Sequence, residues 1–68
     1  MNVFDFELLK NQIILLWSPE EIKITKIRNK EYMIEINGNY DKQELIKLIH
    51  TIGKSSIKIS AEKIYVKI

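Results

Sequence analysis

The chain has 68 residues, no cysteine and one histidine, and its 11 basic and 9 acidic side chains give a formal net charge of +2. This composition excludes disulfides, thiolate metal sites and an imidazole metal cluster, and it is too weakly basic for a strong polyanion binder. The length predicts a single domain over residues 1–68, whose modest core is either well packed or completed by a second copy of the chain.

Residues 3–17 are predicted to form the first helix. The competing interpretation is two strands, because apolar and acidic residues alternate from Phe4 to Leu8. Five consecutive apolar residues, 13–17, indicate deep burial under either interpretation. The helix is favoured by four apolar side chains that recur at helical spacing: Phe6, Leu9, Ile13 and Leu16.

A bend and a β-hairpin are predicted to follow the first helix. Ser18 to Glu21 have the residue types of a helix start, but the β-branched residues after them lose side-chain freedom in a helix. We therefore expect a single helical turn or a bend, then strands over 21–28 and 31–36 with a turn at Asn29-Lys30. A bulge near Thr25-Lys26 would direct three side chains towards the core: Ile22, Ile24 and Ile27.

The segment from Tyr40 to Gly53 has the clearest helix signature. Asp41 is placed to cap the helix, and Glu44 three residues later is placed to complete a capping box. Tyr40 and Leu45 have the spacing of a hydrophobic staple. Gly53 is expected to end the helix in the left-handed conformation. One apolar stripe would face the core: Leu45, Leu48, Ile49 and Ile52.

A second hairpin is predicted over 56–60 and 63–68, with its turn at Ala61-Glu62. Because the last strand reaches the final residue of the sequence, we expect it at an edge of the sheet unless another segment pairs with it. The order αββαββ predicts an α+β domain: a small antiparallel four-stranded sheet with one or two helices packed on one face. The alternative is a β-rich start with a single helix. Alternation points five side chains inward: Ile57, Ile59, Ile64, Val66 and Ile68.

The two halves of the chain resemble each other weakly. The matches drift in separation, so chance in a chain rich in isoleucine and lysine is the alternative to an αββ duplication. Three matches carry the resemblance: Glu7–Lys10 with Glu44–Lys47, Ile22–Ile24 with Ile57–Ile59, and Tyr32 with Tyr65.

No set of residues in the sequence indicates catalysis, a cofactor or a metal ion. His50 falls on the polar side of the second helix, where a solvated histidine is usual. Gly53-Lys54-Ser55 lacks both the glycine five positions earlier and the following helix of a phosphate-binding loop. The carboxylates have no metal-ligand spacing, and nothing places one of them in an apolar pocket. We expect a protein that is not an enzyme and holds no cofactor.

The outward face of the last hairpin is a candidate nucleic-acid surface. Ammonium groups contact phosphates, and a tyrosine ring on a sheet stacks a base. Lys23 and Lys26 would extend this surface, whereas Glu35 and Glu62 would weaken its positive field. Lysines on an outer sheet face also serve solubility. The residues that carry this candidate are Lys58, Lys63, Tyr65 and Lys67.

Trp17 and Met33 are candidate anchors of a protein interface, because large apolar groups near a surface often anchor one. The alternative for Trp17 is that it closes the core. We expect a small binding or regulatory protein that acts through association with a protein partner or as a homodimer. The alternative function is a nucleic-acid-binding module that uses the lysine and tyrosine face.

The predicted location is the cytoplasm, without membrane contact. Asp5 and Glu7 stand where a signal peptide would be basic, and the apolar run from 13 to 17 is too short to span a membrane. Isoleucine, lysine and asparagine, all frequent here, have A/T-rich codons. Such a composition suggests an origin in an A/T-rich genome or a mobile element.

Overall fold

The computed structural model describes residues 4–68, so residue 3 of the predicted first helix lies outside the described part. The four strands form one antiparallel sheet of order β1-β2-β4-β3, and the core is shared by both helices and one face of this sheet. The α+β class and the order αββαββ are thereby confirmed. The elements are α1 (Phe6–Trp17), β1 (Glu21–Arg28), β2 (Glu31–Asn37), α2 (Lys42–Ile52), β3 (Ser56–Ser60) and β4 (Lys63–Lys67).

Helix α1 begins directly after Asp5, whose carboxylate accepts a hydrogen bond from the Leu8 N–H at 3.0 Å. This cap was not predicted, although Asp is among the residues that most favour the position. The helix ends at Ser18, which is left-handed with φ 45° and whose N–H donates to the Ile14 carbonyl. The first segment is therefore helical, and the two-strand alternative was wrong.

Helix α2 is capped by Asp41, whose carboxylate accepts from the N–H groups of Gln43 at 2.9 Å and Glu44 at 3.1 Å. The predicted cap is confirmed, but only half of the capping box is present. Within residues 4–68, the Glu44 carboxylate accepts no hydrogen bond from Asp41, and it lies 3.8 Å from the Lys47 ammonium instead.

Gly53 follows α2 in an extended conformation, with φ −175° and ψ 166°, so the predicted left-handed end was wrong. The glycine is explained by a close approach. A Cβ atom at Gly53 would stand 2.9 Å from Cδ2 of Phe4, a buried residue that packs over this position from the other end of the chain.

The bulge of the first hairpin lies between Lys26 and Arg28, later than predicted. The register places Lys26 opposite Tyr32, so Ile27 falls within the bulge with no partner in β2 and is 40% exposed. The prediction that Ile27 turns inward was therefore wrong. The other two isoleucines of β1 face the helix side as predicted: Ile22 and Ile24.

Strand β4 lies inside the sheet, between β2 and β3, so its predicted position at an edge was wrong. Both strands of a hairpin can have the same alternation, and only the approach of the second hairpin to β2 decides which of them is inner. The strand ends at Lys67. Ile68 was predicted to point inward, but it is 39% exposed, and its N–H donates to the Lys30 carbonyl at 2.8 Å.

The two αββ units are arranged around Ile34 and Ile64, which face each other in the central β2–β4 pairing and are fully buried. A twofold axis through this pair would produce the observed strand order β1-β2-β4-β3. The hairpin registers agree with this symmetry. The pairs Ile22–Ile36 and Ile24–Ile34 of the first hairpin correspond to Ile57–Val66 and Ile59–Ile64 of the second.

Equivalent helix positions are 36 residues apart (41 − 5, 45 − 9 and 49 − 13), not 37 as the sequence matches suggested. The match of Tyr32 with Tyr65 was wrong, because the two rings lie on opposite faces of the sheet. The Tyr32 ring lies 4.2 Å from that of Phe6 on the helix side, whereas Tyr65 is opposite Met33 on the other face. The equivalent helix residues are the caps Asp5 and Asp41 and the buried pairs Leu9 and Leu45, and Ile13 and Ile49.

Candidate interaction surfaces

The sheet face opposite the helices is covered by no element of residues 4–68, and we call it the open face. Its central cross-strand row contains Tyr65, with Met33 on one side and Lys58 on the other. Lys63 and Lys67 lie on the same face in the two neighbouring rows. The open face therefore brings together five residues that were predicted as parts of two different surfaces: Lys58, Lys63, Tyr65, Lys67 and Met33.

Two lysines that were expected to extend this surface differ in position. Lys23 is opposite Glu35, so it lies on the open face two strands away from β4. Lys26 is opposite Tyr32, so it lies on the helix side of the sheet and does not join the surface.

Carboxylates alternate with the lysines of the open face. Glu35 is opposite Lys63, and Glu31 is opposite Lys67. The Glu31 carboxylate also forms an ion pair with Arg28, whose Nε lies 2.8 Å from it. Opposite charges this close cancel much of each other's field, so the open face has a mixed charge and not the single sign that attracts polyanions.

A shallow depression lies at the β3 side of the open face. Lys58 and Tyr65 are direct cross-strand neighbours within it, and Tyr65 is half-buried. The residues that line it are Glu31, Ser56, Ile57, Lys58, Tyr65 and Lys67.

Trp17 lies at the C-terminal end of α1, half-buried against the core. Its ring centroid is 6.2 Å from that of Tyr40 in an edge-on arrangement. Burial raises the pKa of the Tyr40 hydroxyl, and the nearby Glu62 carboxylate raises it further. The position of Trp17 agrees with the alternative in which this side chain closes the core.

Helix α1 carries an exposed apolar stripe, which we define as Leu8, Leu15 and Leu16. Leu15 is 77% exposed, Leu16 57% and Leu8 44%. Leu8 and Leu15 are seven positions apart, close to two full turns, so they lie on one side of the helix. Ile14, on a different side, is 43% exposed.

The deep burial predicted for residues 13–17 was wrong for three of them. Only Ile13 is fully buried, and Trp17 is half-buried, whereas residues 14–16 are exposed. The reason is geometric. A helix that lies on one face of a single sheet buries one side, while five consecutive apolar residues surround the whole helix.

The positions of α2 that are equivalent to the exposed apolar positions of α1 hold polar residues in three cases. With the separation of 36 positions, Leu8 corresponds to Glu44 and Leu15 to Thr51. Ile14 corresponds to His50. Glu44, His50 and Thr51 are all exposed. The architecture therefore accepts polar side chains at these three positions, and the fold does not require Leu8, Ile14 and Leu15 to be apolar.

The structure also bears on metal binding and on membrane insertion. Among residues 4–68, no group of three or more His, Cys, Asp and Glu side chains is placed to hold a metal ion. His50 is exposed, in the last turn of α2. In the same part of the chain, neither helix has the length and apolar character needed to cross a bilayer.

Comparisons of the chain with protein-family models, with curated proteins and with solved structures found no match.

Proposed function

We propose that the chain is a small non-catalytic binding protein that acts through protein–protein association, with the α1 stripe as its contact surface and a second copy of the chain as its occupant. The observation that carries this proposal is the exposure of Leu15 and Leu16 in an apolar run that surrounds the helix. A helix with apolar residues on all sides is normally buried on all sides.

In the single chain the stripe exposes apolar surface to water, and this exposure contributes nothing to the stability of the fold. Removing apolar surface from water contributes about 25 cal/mol per Å². Two of the three corresponding positions in α2 avoid this exposure with Glu44 and Thr51, whereas the third, opposite Leu16 in this comparison, is the half-buried Ile52. Contact with another protein would give the stripe of α1 the burial that its own fold does not provide.

A second copy is favoured because the stripe is self-complementary. In an antiparallel pair of α1 helices centred between Asn11 and Gln12, Leu8 of each copy meets Leu15 of the other. The amide side chains of Asn11 and Gln12 meet at the centre, where each can donate to and accept from its counterpart. Such a contact has the closed twofold symmetry that is commonest among homo-oligomers.

The expected dimer is weak. A helix of 12 residues is about 18 Å long, so an α1–α1 contact belongs with the small interfaces that bury less than about 1,200 Å². We therefore expect a dissociation constant in the micromolar range, roughly 1 to 100 μM.

Solution mass as a function of concentration tests the proposal. We expect the wild-type mass to rise towards that of a dimer between about 1 μM and about 1 mM. Leu15→Glu should remain monomeric, because it places two carboxylates in the contact. Thr51→Glu, which adds the same charge at the equivalent position of α2, is the matched control and should associate like the wild type. A wild type that stays monomeric throughout this range contradicts the proposal.

A second candidate function is nucleic-acid binding by the open face, which is favoured by one observation. Lys58 and Tyr65 are direct neighbours in a depression that Lys67 also lines. The test is the solution mass with a short mixed-sequence DNA or RNA at low and high salt. Phosphate contacts would give a complex at low salt that is lost steeply as salt rises. The carboxylates of Glu31 and Glu35 on the same face make this the weaker candidate.

A further inference from the structure

Strand β3 is an edge of the sheet whose pairing with β4 contains no bulge. Its five residues pair with β4 in one regular register. The opposite edge, β1, is interrupted by the bulge after Lys26. An edge strand presents backbone N–H and C=O groups that can pair with an added strand, and bulges are one of the features that prevent it.

The side chains of β3 offer different chemistry on its two faces. Ile57 and Ile59 are half-buried against the core on the helix side, and each would gain contact from an apolar residue on an added strand. Lys58 points to the open face, beside the half-buried Tyr65. An added strand would therefore place two apolar side chains and, between them, one side chain next to the Lys58 ammonium.

A second copy of β3 does not fit this edge. The strand reads Ser-Ile-Lys-Ile-Ser, the same in both directions, so full antiparallel self-pairing places Lys58 directly opposite Lys58 of the other copy. Like charges directly opposite each other destabilise a strand pair, whereas opposite charges stabilise it. A carboxylate is the side chain that suits the position.

The surroundings of Lys58 reinforce this preference. Lys67 lines the same depression and adds a second positive charge. The depression also contains Glu31, but its carboxylate is bound to Arg28 at 2.8 Å.

We propose that β3 binds an extended segment of another protein in which an acidic residue stands between two apolar residues. The segment adds a fifth strand antiparallel to β3, with its carboxylate beside Lys58 and its apolar side chains beside Ile57 and Ile59. This mode is β-strand addition, in which main-chain hydrogen bonds give affinity and alternate side chains give specificity. The surface is separate from the α1 stripe, and this proposal stands without the proposed self-association.

The test uses two blocked synthetic peptides, Thr-Ile-Glu-Ile-Thr and Thr-Ile-Lys-Ile-Thr, in amide-resolved NMR titrations of the full chain. We expect the Glu peptide to shift the amide signals of residues 56–60 with millimolar affinity, and the Lys peptide to bind about fivefold more weakly. In Lys58→Glu the preference should reverse, and in Lys58→Gln it should nearly vanish. The Leu15→Glu variant should bind the Glu peptide like the wild type, which separates this result from that of the α1 stripe.

Three outcomes would overturn the proposal. The first is no shift at residues 56–60 with either peptide at concentrations up to about 10 mM, because this concentration exceeds the dissociation constant expected of a strand addition. The second is a preference for the Glu peptide that survives in Lys58→Glu. The third is a short oligonucleotide that shifts the Tyr65 and Lys58 signals when the Glu peptide does not, which would assign the surface to polyanions.

Discussion

At the scale of single residues, the structure explains the glycine at position 53 by a different cause from the one that its place in the sequence suggested. Its place after α2 suggested a left-handed helix end, yet its φ of −175° is open to any residue. The constraint comes from Phe4, whose ring occupies the space of a Cβ atom at a distance of 2.9 Å. The glycine is therefore needed for packing between two distant parts of the sequence.

Gly53→Ala should destabilise the fold. In an unstrained site this change stabilises by about 0.4–1 kcal/mol through the unfolded chain, but overpacking of a core costs about 1–3 kcal/mol. We expect the second effect to dominate, with a net loss of about 1 kcal/mol. Urea unfolding of Gly53→Ala, Phe4→Leu and the double variant measures the coupling, and Phe4→Leu should remove the penalty of the alanine. A Gly53→Ala chain at least as stable as the wild type would show that Phe4 moves aside.

At the scale of elements, the two helices share their buried positions and their caps but differ on their exposed sides. The cap of α2 has two hydrogen bonds to the Asp41 carboxylate, whereas that of α1 has one to the Asp5 carboxylate. The buried positions have to match because each helix packs on the same sheet. The exposed sides are not constrained by the fold, so the leucines of α1 are the more informative about function.

Asp41→Ala should reduce the free energy of unfolding by about 1 kcal/mol, because it leaves the Gln43 and Glu44 N–H groups without their partner. Asp41→Asn retains an oxygen acceptor and should lower the free energy of unfolding by only a few tenths as much as Asp41→Ala. Asp5→Ala should cost less than Asp41→Ala, because the Asp5 carboxylate accepts one hydrogen bond and not two. Thermal or urea unfolding at neutral pH measures all three. Equal losses for Asp41→Ala and Asp41→Asn would show that the charge of the cap matters and not its hydrogen bonds.

At the scale of the whole molecule, stability depends on one small core centred on the Ile34–Ile64 pair. Both side chains are fully buried where the two αββ units meet. A single core in a chain of this size rarely supplies more than about 3–5 kcal/mol of stability. We therefore expect neither unit to be stable apart, since each would expose the side chains that face this pair.

Ile64→Ala should leave most of the chain unfolded at 25 °C, because truncating a buried isoleucine costs about 2–5 kcal/mol. Ile34→Ala, its counterpart across the proposed axis, should have a similar effect. Leu15→Ala is the control with an exposed side chain, and its cost should stay within about 0.5 kcal/mol at concentrations where the chain is monomeric. Circular dichroism and urea unfolding distinguish these cases, and a well-folded Ile64→Ala chain would contradict the central role of this pair.

The sequence by itself determined the features that depend on neighbours within a few residues. These are the helical periodicity of both helices, the Asp41 cap, the alternation of the strands and the turns at Asn29-Lys30 and Ala61-Glu62. Each follows from the conformational preference of a short segment, so the αββαββ order could be predicted. The lysines and Tyr65 of the open face could be placed on one side of their hairpin for the same reason.

Only the tertiary structure decided which elements meet. The inner position of β4, the contact of Phe4 with Gly53 and the cross-strand position of Glu31 beside Lys67 all join residues far apart in sequence. The exposure of the α1 stripe belongs with them, because an apolar run does not show how many sides of a helix will be covered. Burial depends on what packs against a segment, and in this fold a single sheet covers one side of α1.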